Sequence, residues 1–320
     1  MKKGFVSIVI ANYNGKHLLK AILDSIKKSH FRNYEIIIVD NNSNDGSQEF
    51  IKKNYKNAKL VANEKNLGYS GINSALKCCK GEYILFLNND MELDRNCIGK
   101  LVESLQDKNA AMAAPRFINF YDKSLKSGGT WVSRAFYNGH IKSSNDKRIK
   151  EIPYLGVGLI KKKFVDVFGY LFDPYYFIYA EDLDLGIRIR MLGMKVLFVP
   201  EAVIYHIHSA TMQKVSFAAR NTFLLERNLL FTFFKDLELK NITLFLPYVL
   251  LMRFAAIVKD VFSFQLKVAM SRVKALLWIL FNFNLVIKKR NEVQKLRKAD
   301  DSYVLKAFSE KYLFKKKFVI

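Results

Sequence analysis

Glu35-Ile36-Ile37-Ile38-Val39-Asp40-Asn41-Asn42-Ser43 decides the architecture of this chain. Four consecutive β-branched residues end abruptly in a carboxylate and three small polar side chains. The apolar positions do not alternate, so the strand they form is expected to be covered on both faces. The same grammar recurs on either side. Upstream, Phe5-Val6-Ser7-Ile8-Val9-Ile10-Ala11 breaks into Asn12-Tyr13-Asn14-Gly15; downstream, Tyr83-Ile84-Leu85-Phe86-Leu87 runs into Asn88-Asn89-Asp90. Further strand-like runs at 58–62 and 110–114 alternate with helix-like segments near 16–28, 46–54, 69–79 and 95–107. Such alternation predicts an α/β domain, a parallel sheet with helices on both faces. Ligands of open sheets bind beyond the carboxyl ends of the strands, so the three polar tips should share one functional edge.

Residues 116–152 are polar and rich in turn formers, and order is expected to return at 153–160. Gly81 reads as a residue just past a helix end. A helix opening on Glu181-Asp182-Leu183-Asp184 is expected to run to about residue 192, with Leu185, Ile189 and Leu192 on one face and Gly193 as its stop. Strand-like runs at 195–199 and 202–207 lead into His206-Ile207-His208. Beyond residue 214 the pattern is helical. The apolar stretches 242–252, 254–258 and 275–287 are broken by Arg253, Pro247, Asn282 and Asn284. None reaches the ~18 uninterrupted apolar residues of a spanning helix, so interfacial or re-entrant helices are expected. A buried helical subdomain is the alternative. The chain thus divides into 1–212, with halves 1–115 and 116–212, and a helical region 213–320.

At 320 residues, half of them hydrophobic and 14% aromatic, the chain has the material for a large core. Three cysteines, two of them adjacent, form neither a disulfide framework nor a zinc spacing and suit a reducing compartment. The run at 5–11 is too short for a signal peptide and reads as a first strand. A net charge of +23 asks for an anionic partner. Residues 210–320 hold 21 Lys and Arg against 8 Asp and Glu, interleaved with the longest apolar runs. That mixture fits an anionic membrane surface. Nucleic acid is not the expected partner, because basic residues are sparse around the polar strand tips.

Taken in order, Ser7–Gly15, Glu35–Ser47, Asn66-Leu67-Gly68-Tyr69 with Asn73, Leu87–Asp90, Glu181–Leu185 and His206 resemble the glycosyltransferases of family 2 over roughly residues 5–210. Each motif alone is weak; their order is specific. The resemblance implies a GT-A fold, with a Rossmann-like nucleotide-binding sheet, and transfer of a sugar with inversion from a UDP-, dTDP- or GDP-sugar. The tail, from Arg227-Asn228 to Lys289-Arg290 and Arg297-Lys298, more loosely resembles the rhamnosyltransferase-like branch, which works on lipid-linked glycans. Cell-envelope polysaccharide synthesis at the cytoplasmic face of the membrane, peripheral or monotopic, is the implied setting.

Residue by residue, the resemblance makes Asp40 the acceptor for the base of the nucleotide, with the backbone of Ala11, Asn12 and Tyr13 lining the other side and Asn42 nearby. Asn66, Gly68 and Asn73 match a second nucleotide-binding element, and Asn88 and Asn89 border the sugar. Asp90 is the expected ligand of Mg2+ or Mn2+, hard cations that suit carboxylate oxygens. Asn88 stands where the family's first acid is usual, leaving one carboxylate. His206 matches a second metal ligand; His208 lies on the same strand face, and spacing does not separate them. Asp182 is the expected general base, and Glu181, a neighbouring acid, would raise its pKa. Asp182 and Asp184 cannot both face the acceptor. Tyr176, after Asp173-Pro174, is an acceptor-side aromatic or a core residue. The rival readings are a catalytically silent nucleotide-sugar-binding module, which the retained Asp182 disfavours, and a nucleic-acid-binding protein.

Overall fold

The computed structural model describes residues 2–141, 148–207 and 215–308. Its first half follows the expected alternation closely. Strand β1 (Lys2–Asn12), helix α1 (Lys16–Lys27), β2 (Tyr34–Asp40), α2 (Ser47–Asn54) and β3 (Ala58–Ala62) come in turn. A 3-10 run, Gly68–Cys78, stands in place of a regular helix, and β4 (Gly81–Asn88), β5 (Met91–Leu93) and α3 (Cys97–Ser104) follow. Helix α1 forms because Leu19, Ile22, Leu23 and Ile26 recur at helical spacing and are all buried on the sheet. The 3-10 run stays tight because Ser70, Gly71, Asn73 and Ser74 are poor helix formers. A Cβ on Gly71 would also strike Asn41 Oδ1 at 2.2 Å.

The sheet is mixed, not parallel as the sequence suggested. Strands β1, β2, β3 and β4 pair in parallel. After β6 (Ala110–Asn119) come the short strands β7 (Leu125–Ser127), β8 (Thr130–Val132), β9 (Asn138–His140) and β10 (Lys150–Ile152), then β11 (Gly158–Lys161). β11 lies antiparallel between β4 and β6. The 153–160 segment therefore extends the sheet against the direction of its neighbours, and 116–152 is less irregular than its composition implies. Helix α4 (Lys162–Phe168), α5 (Glu181–Met191) and β12 (Lys195–His206) complete the region. The two runs expected at 195–207 are one strand, with a register shift between Val199 and Val203 around Pro200. Gly193 ends α5 at φ 76°, as expected of a stop. Gly81 is no helix cap: it opens β4, where a Cβ would meet Phe5 O and Ser7 N at 2.7 Å.

Four helices follow: α6 (Val215–Asp236), α7 (Leu239–Phe262), α8 (Leu266–Phe281) and α9 (Phe283–Gln294), then the short α10 (Asp301–Leu305). They form a second core, which shares α5 with the first. Leu185 and Ile189 pack into the sheet-side core, whereas Leu183, Ile187 and Met191 join the second core with Phe136, Tyr154 and residues of the C-terminal helices. Helix α5 is therefore apolar on two sides, which a single-stripe reading of Leu185, Ile189 and Leu192 missed. The expected boundary at 212–213 lies outside the described residues.

Helix α7 departs from expectation in length. Pro247 sits inside a continuous 24-residue helix of mean hydropathy 1.8, long and apolar enough to cross a membrane, with 17% of its most apolar window buried. Its inward face carries Val249, Arg253 and Asp260. Arg253 donates to the Ala135 carbonyl, and Asp260 accepts from Arg272 at 2.7 Å. α8 and α9 meet at a 70° bend.

Candidate active site

The strand tips converge as expected, and their side chains are stitched together. β1 and β2 pair in register so that Asn12 faces Asp40, and Ala11 pairs with Asn88 on β4. Asn12 donates to Asp40 Oδ1 at 2.8 Å and accepts from Asn89 Nδ2 at 2.8 Å. One buried amide thus joins three strand ends. Gly15 must be glycine here, since a Cβ would fall 1.9 Å from Asn89 Nδ2.

Asp40 is completely buried. Its carboxylate accepts from Asn12, from the Ser43 hydroxyl at 2.6 Å and amide at 2.9 Å, and from Gln48 Nε2 at 2.8 Å. Those four donors fill the lone pairs of a carboxylate. Asp40 therefore organises the rim by holding Asn12 and Ser43, and their chain neighbours face outward: Tyr13 is half exposed, and Asn42 is exposed at φ 62°.

The second element is tied to the loop that enters α5. Asn66 accepts from the Gly68 amide at 2.9 Å. Gly68, at φ 61°, accepts from Asn41, and a Cβ there would lie 1.9 Å from Phe177 O. The backbone approach that requires glycine is thus made by the protein itself. Asn73 spends its amide on the same loop, accepting from Leu171 and Phe172 amides and donating to Phe172 O at 2.6 Å.

Tyr69, a member of the Asn66–Tyr69 motif to which the sequence assigned no role, links the two acidic stations. Its hydroxyl accepts from Asn88 Nδ2 at 2.5 Å. Burial, then the charges of Glu181 and Asp90, and Asp182 beyond them, hold the phenol far above its ordinary pKa. Residues from β4's tip and from α5, ninety positions apart, thus act on one hydroxyl. Beside it, His206 Nε2 lies 3.0 Å from Asp90 Oδ2, while Asp90 Oδ1 is buried without a hydrogen-bond partner. Such an orphaned oxygen suits a cation. Among the described residues no group of three or more His, Cys, Asp or Glu forms a metal cage. Asp90 and His206 therefore fit a divalent ion completed by ligand oxygens and water. His208 lies outside the described residues. Lys126, on β7, buries its Nζ without a hydrogen-bond partner, and burial lowers its pKa despite Asp122 and Asp90.

Asp182 accepts from the Leu183 amide at 2.8 Å through Oδ1. No hydrogen bond among the described residues occupies Oδ2, which faces Gly156, where a Cβ would sit 3.2 Å away. Burial pushes its pKa up to about 6. Glu181 is pushed well above the carboxylate range, by burial first and Asp182 second. Asp184 faces the other way, fully buried and paired with Arg188 at 2.8 Å and with Lys235. Tyr176 corrects the acceptor-side assignment: it is 0% exposed in the second core, its hydroxyl 2.7 Å from Thr232 Oγ1.

This fold and edge match known proteins. Residues 7–163 fit the family model described as Glycosyl transferase family 2, so the chain carries a glycosyl transferase family 2 domain. The mannosyltransferase PcManGT from Pyrobaculum calidifontis, solved with GDP-Man and Mn2+, superimposes over 91% of this chain and 85% of its own, with TM-score 0.56 and 16% identity. That likeness shows the fold, which is GT-A. Among curated relatives, the poly(ribitol-phosphate) beta-glucosyltransferase of Bacillus spizizenii is 40% identical over 92 residues, 27% of this chain and 14% of that protein. The Escherichia coli UDP-Glc:alpha-D-GlcNAc-diphosphoundecaprenol beta-1,3-glucosyltransferase WfaP is 40% identical over 88 residues, 27% of this chain and 35% of its own. The matched stretches thus span well under half of these relatives.

Proposed function

We propose that this chain is an inverting glycosyltransferase that moves a sugar from a nucleoside-diphosphate donor to a hydroxyl of a lipid-linked, cell-surface glycan. The observation that carries this reading is the pair of acidic stations at the carboxyl edge of the sheet: Asp90 beside His206 with its Oδ1 buried and unpartnered, and Asp182 with only its Oδ1 hydrogen-bonded among the described residues. The nucleotide lies along the rim made by Ala11–Tyr13, Asn42, Asn66 and Gly68, with Asp40 holding that rim from beneath. Asp182 Oδ2 takes the proton of the acceptor hydroxyl as its oxygen bonds to the anomeric carbon. The bond from that carbon to the diphosphate oxygen breaks on the opposite side, and the electron pair leaves with the nucleotide. Attack from one face and departure from the other inverts the centre. Asp90 and His206 would hold Mg2+ or Mn2+, which neutralises charge on a diphosphate when bound. The relatives' acceptors, and the exposed apolar α7–α8 face, support the cytoplasmic face of the membrane as the setting.

Nucleotide release from a panel of UDP-, dTDP- and GDP-sugars, with detergent-solubilised protein and with or without Mn2+ or Mg2+, tests the reading. One donor should be turned over in a metal-dependent way. Asp90→Ala should weaken binding of that nucleoside diphosphate in metal to the level seen with EDTA. Silence across the panel with nucleotide binding retained would leave the silent binding module as the better reading, and silence with no nucleotide binding would overturn both.

A further inference from the structure

The turn that delivers Asp182 is strained, and one side chain from the second core holds it. Tyr179 and Ala180 sit at φ 72° and 61°, consecutive left-handed positions without a glycine. Such residues are strained and persist where surrounding groups over-determine them. Helix α5 begins immediately afterwards, with the Asp184 amide donating to Ala180 O at 3.0 Å.

Asn228 of α6 is 1% exposed and lies against this turn. Its Nδ2 donates to Ile178 O at 2.9 Å and to Tyr179 O at 2.7 Å. Along a strand, consecutive carbonyls alternate in direction; the left-handed Tyr179 points two of them the same way, so one NH2 group serves both. The orientation of the amide is fixed from its other end. Asn228 Oδ1 accepts from Arg227 Nε at 2.9 Å and Nη2 at 2.6 Å, and a guanidinium has only donors to offer. Arg227 Nη2 also donates to Tyr175 O at 3.1 Å, six residues before the first residue of the helix. The carbonyls of the entry loop are thus gripped from α6, more than forty residues along the chain.

We propose that Asn228 is a positioning residue for the catalytic carboxylate: its amide holds the left-handed turn at Tyr179 and Ala180 and thereby sets where Asp182 meets the acceptor. The proposal rests on the role of Asp182 as general base. It makes the helical region part of the catalytic apparatus, whatever else that region binds.

The test uses the full chain with Asn228→Asp, which keeps size but removes the NH2 donors, and Asn228→Ala. Expected is a fall in kcat of about 100-fold, the scale of a 1 Å misplacement, with the Kd for nucleoside diphosphate within about threefold of wild type. The pH midpoint of the residual activity should move away from that of wild type. Hydrogen exchange of the 181–184 amides should accelerate about tenfold or more while β1 and β2 keep their protection. Unchanged kcat and unchanged exchange would overturn the proposal, as would parallel loss of nucleotide binding and of β1–β2 protection, which marks general unfolding. If wild type itself transfers no sugar, the functional reading fails, and the exchange measurement alone decides whether Asn228 holds the turn.

Discussion

At the scale of single residues, Asp182 sets opposite trends for activity and stability. Burial raises its pKa from 3.8 to about 6, so the folded state prefers the neutral acid. That contribution to stability is complete below pH ~3.8 and is lost as pH rises through ~6. A general base works only when ionised, so kcat should rise with pH through a midpoint near 6 where folding stability falls. Because Glu181 titrates beside it, the observed midpoint belongs to the pair. Asp182→Asn should abolish transfer, leave nucleotide binding intact and raise stability at pH 8 by about 3 kcal/mol, with little change at pH 4. Denaturant melts of the two proteins at both pH values check this; a variant equally stable or weaker at pH 8 refutes the buried-base assignment. The sequence marks Asp182, Asp90 and His206 through the family motifs that give them their proposed roles. It marks Tyr69 only as a motif member, because the bond of its hydroxyl to Asn88 joins segments that no local pattern connects.

At the scale of elements, α5 is held by charges that have left water entirely. Lys235 of α6 is fully buried, 3.0 Å from Asp173 and paired also with Asp184. Burial pushes Asp173 up, but Lys235 and the Tyr175 amide hold its pKa below the ordinary value. Arg188 completes the set, donating to Asp184 and to Leu171 O at 2.6 Å. Removing one partner from such a network leaves uncompensated charge, at a cost of about 3–5 kcal/mol. Lys235→Met should lower the denaturation free energy by that amount at neutral pH. A loss under 1 kcal/mol would show that the cluster is better solvated than its burial implies. The sequence placed α5 but assigned it one apolar face, because Leu183, Ile187 and Met191 belong to a core assembled from distant segments, Phe136 and Tyr154 before α5 and the helices after it.

For the molecule as a whole, the second core leaves a broad apolar surface. Phe262, Phe264 and Phe281, at the ends of α7 and α8, are 80%, 92% and 84% exposed. Single exposed apolar residues are ordinary, but here they run along both helices, with Leu251, Phe254, Met270 and Leu280 also exposed, and on a strongly basic region such a face marks an interaction surface. α7 is packed on one side through Val249, Arg253 and Asp260, so it lies along the body of the protein, the arrangement of a helix seated in an interface. Vesicle flotation should show binding that increases with anionic lipid and falls with salt. Phe262→Glu with Phe264→Glu should weaken it by about 100-fold or more, each buried Phe contributing roughly 1.5–3 kcal/mol. Undiminished binding by that variant would move the membrane contact elsewhere.

By itself the sequence determined the parallel core β1–β4, the polar edge and the residue types there, because continuous apolar runs ending in Asn and Asp are local signals. It also marked the helical, basic tail. Tertiary structure alone decided that β11 enters antiparallel, that Asp40 spends its carboxylate on the rim, and that Tyr176 belongs to the core. It also decided that Asn228 reaches back to the turn before Asp182. Each of these depends on which distant groups fill a donor or cover a face, and hydrogen-bond partners and burial are properties of the packed chain rather than of any segment.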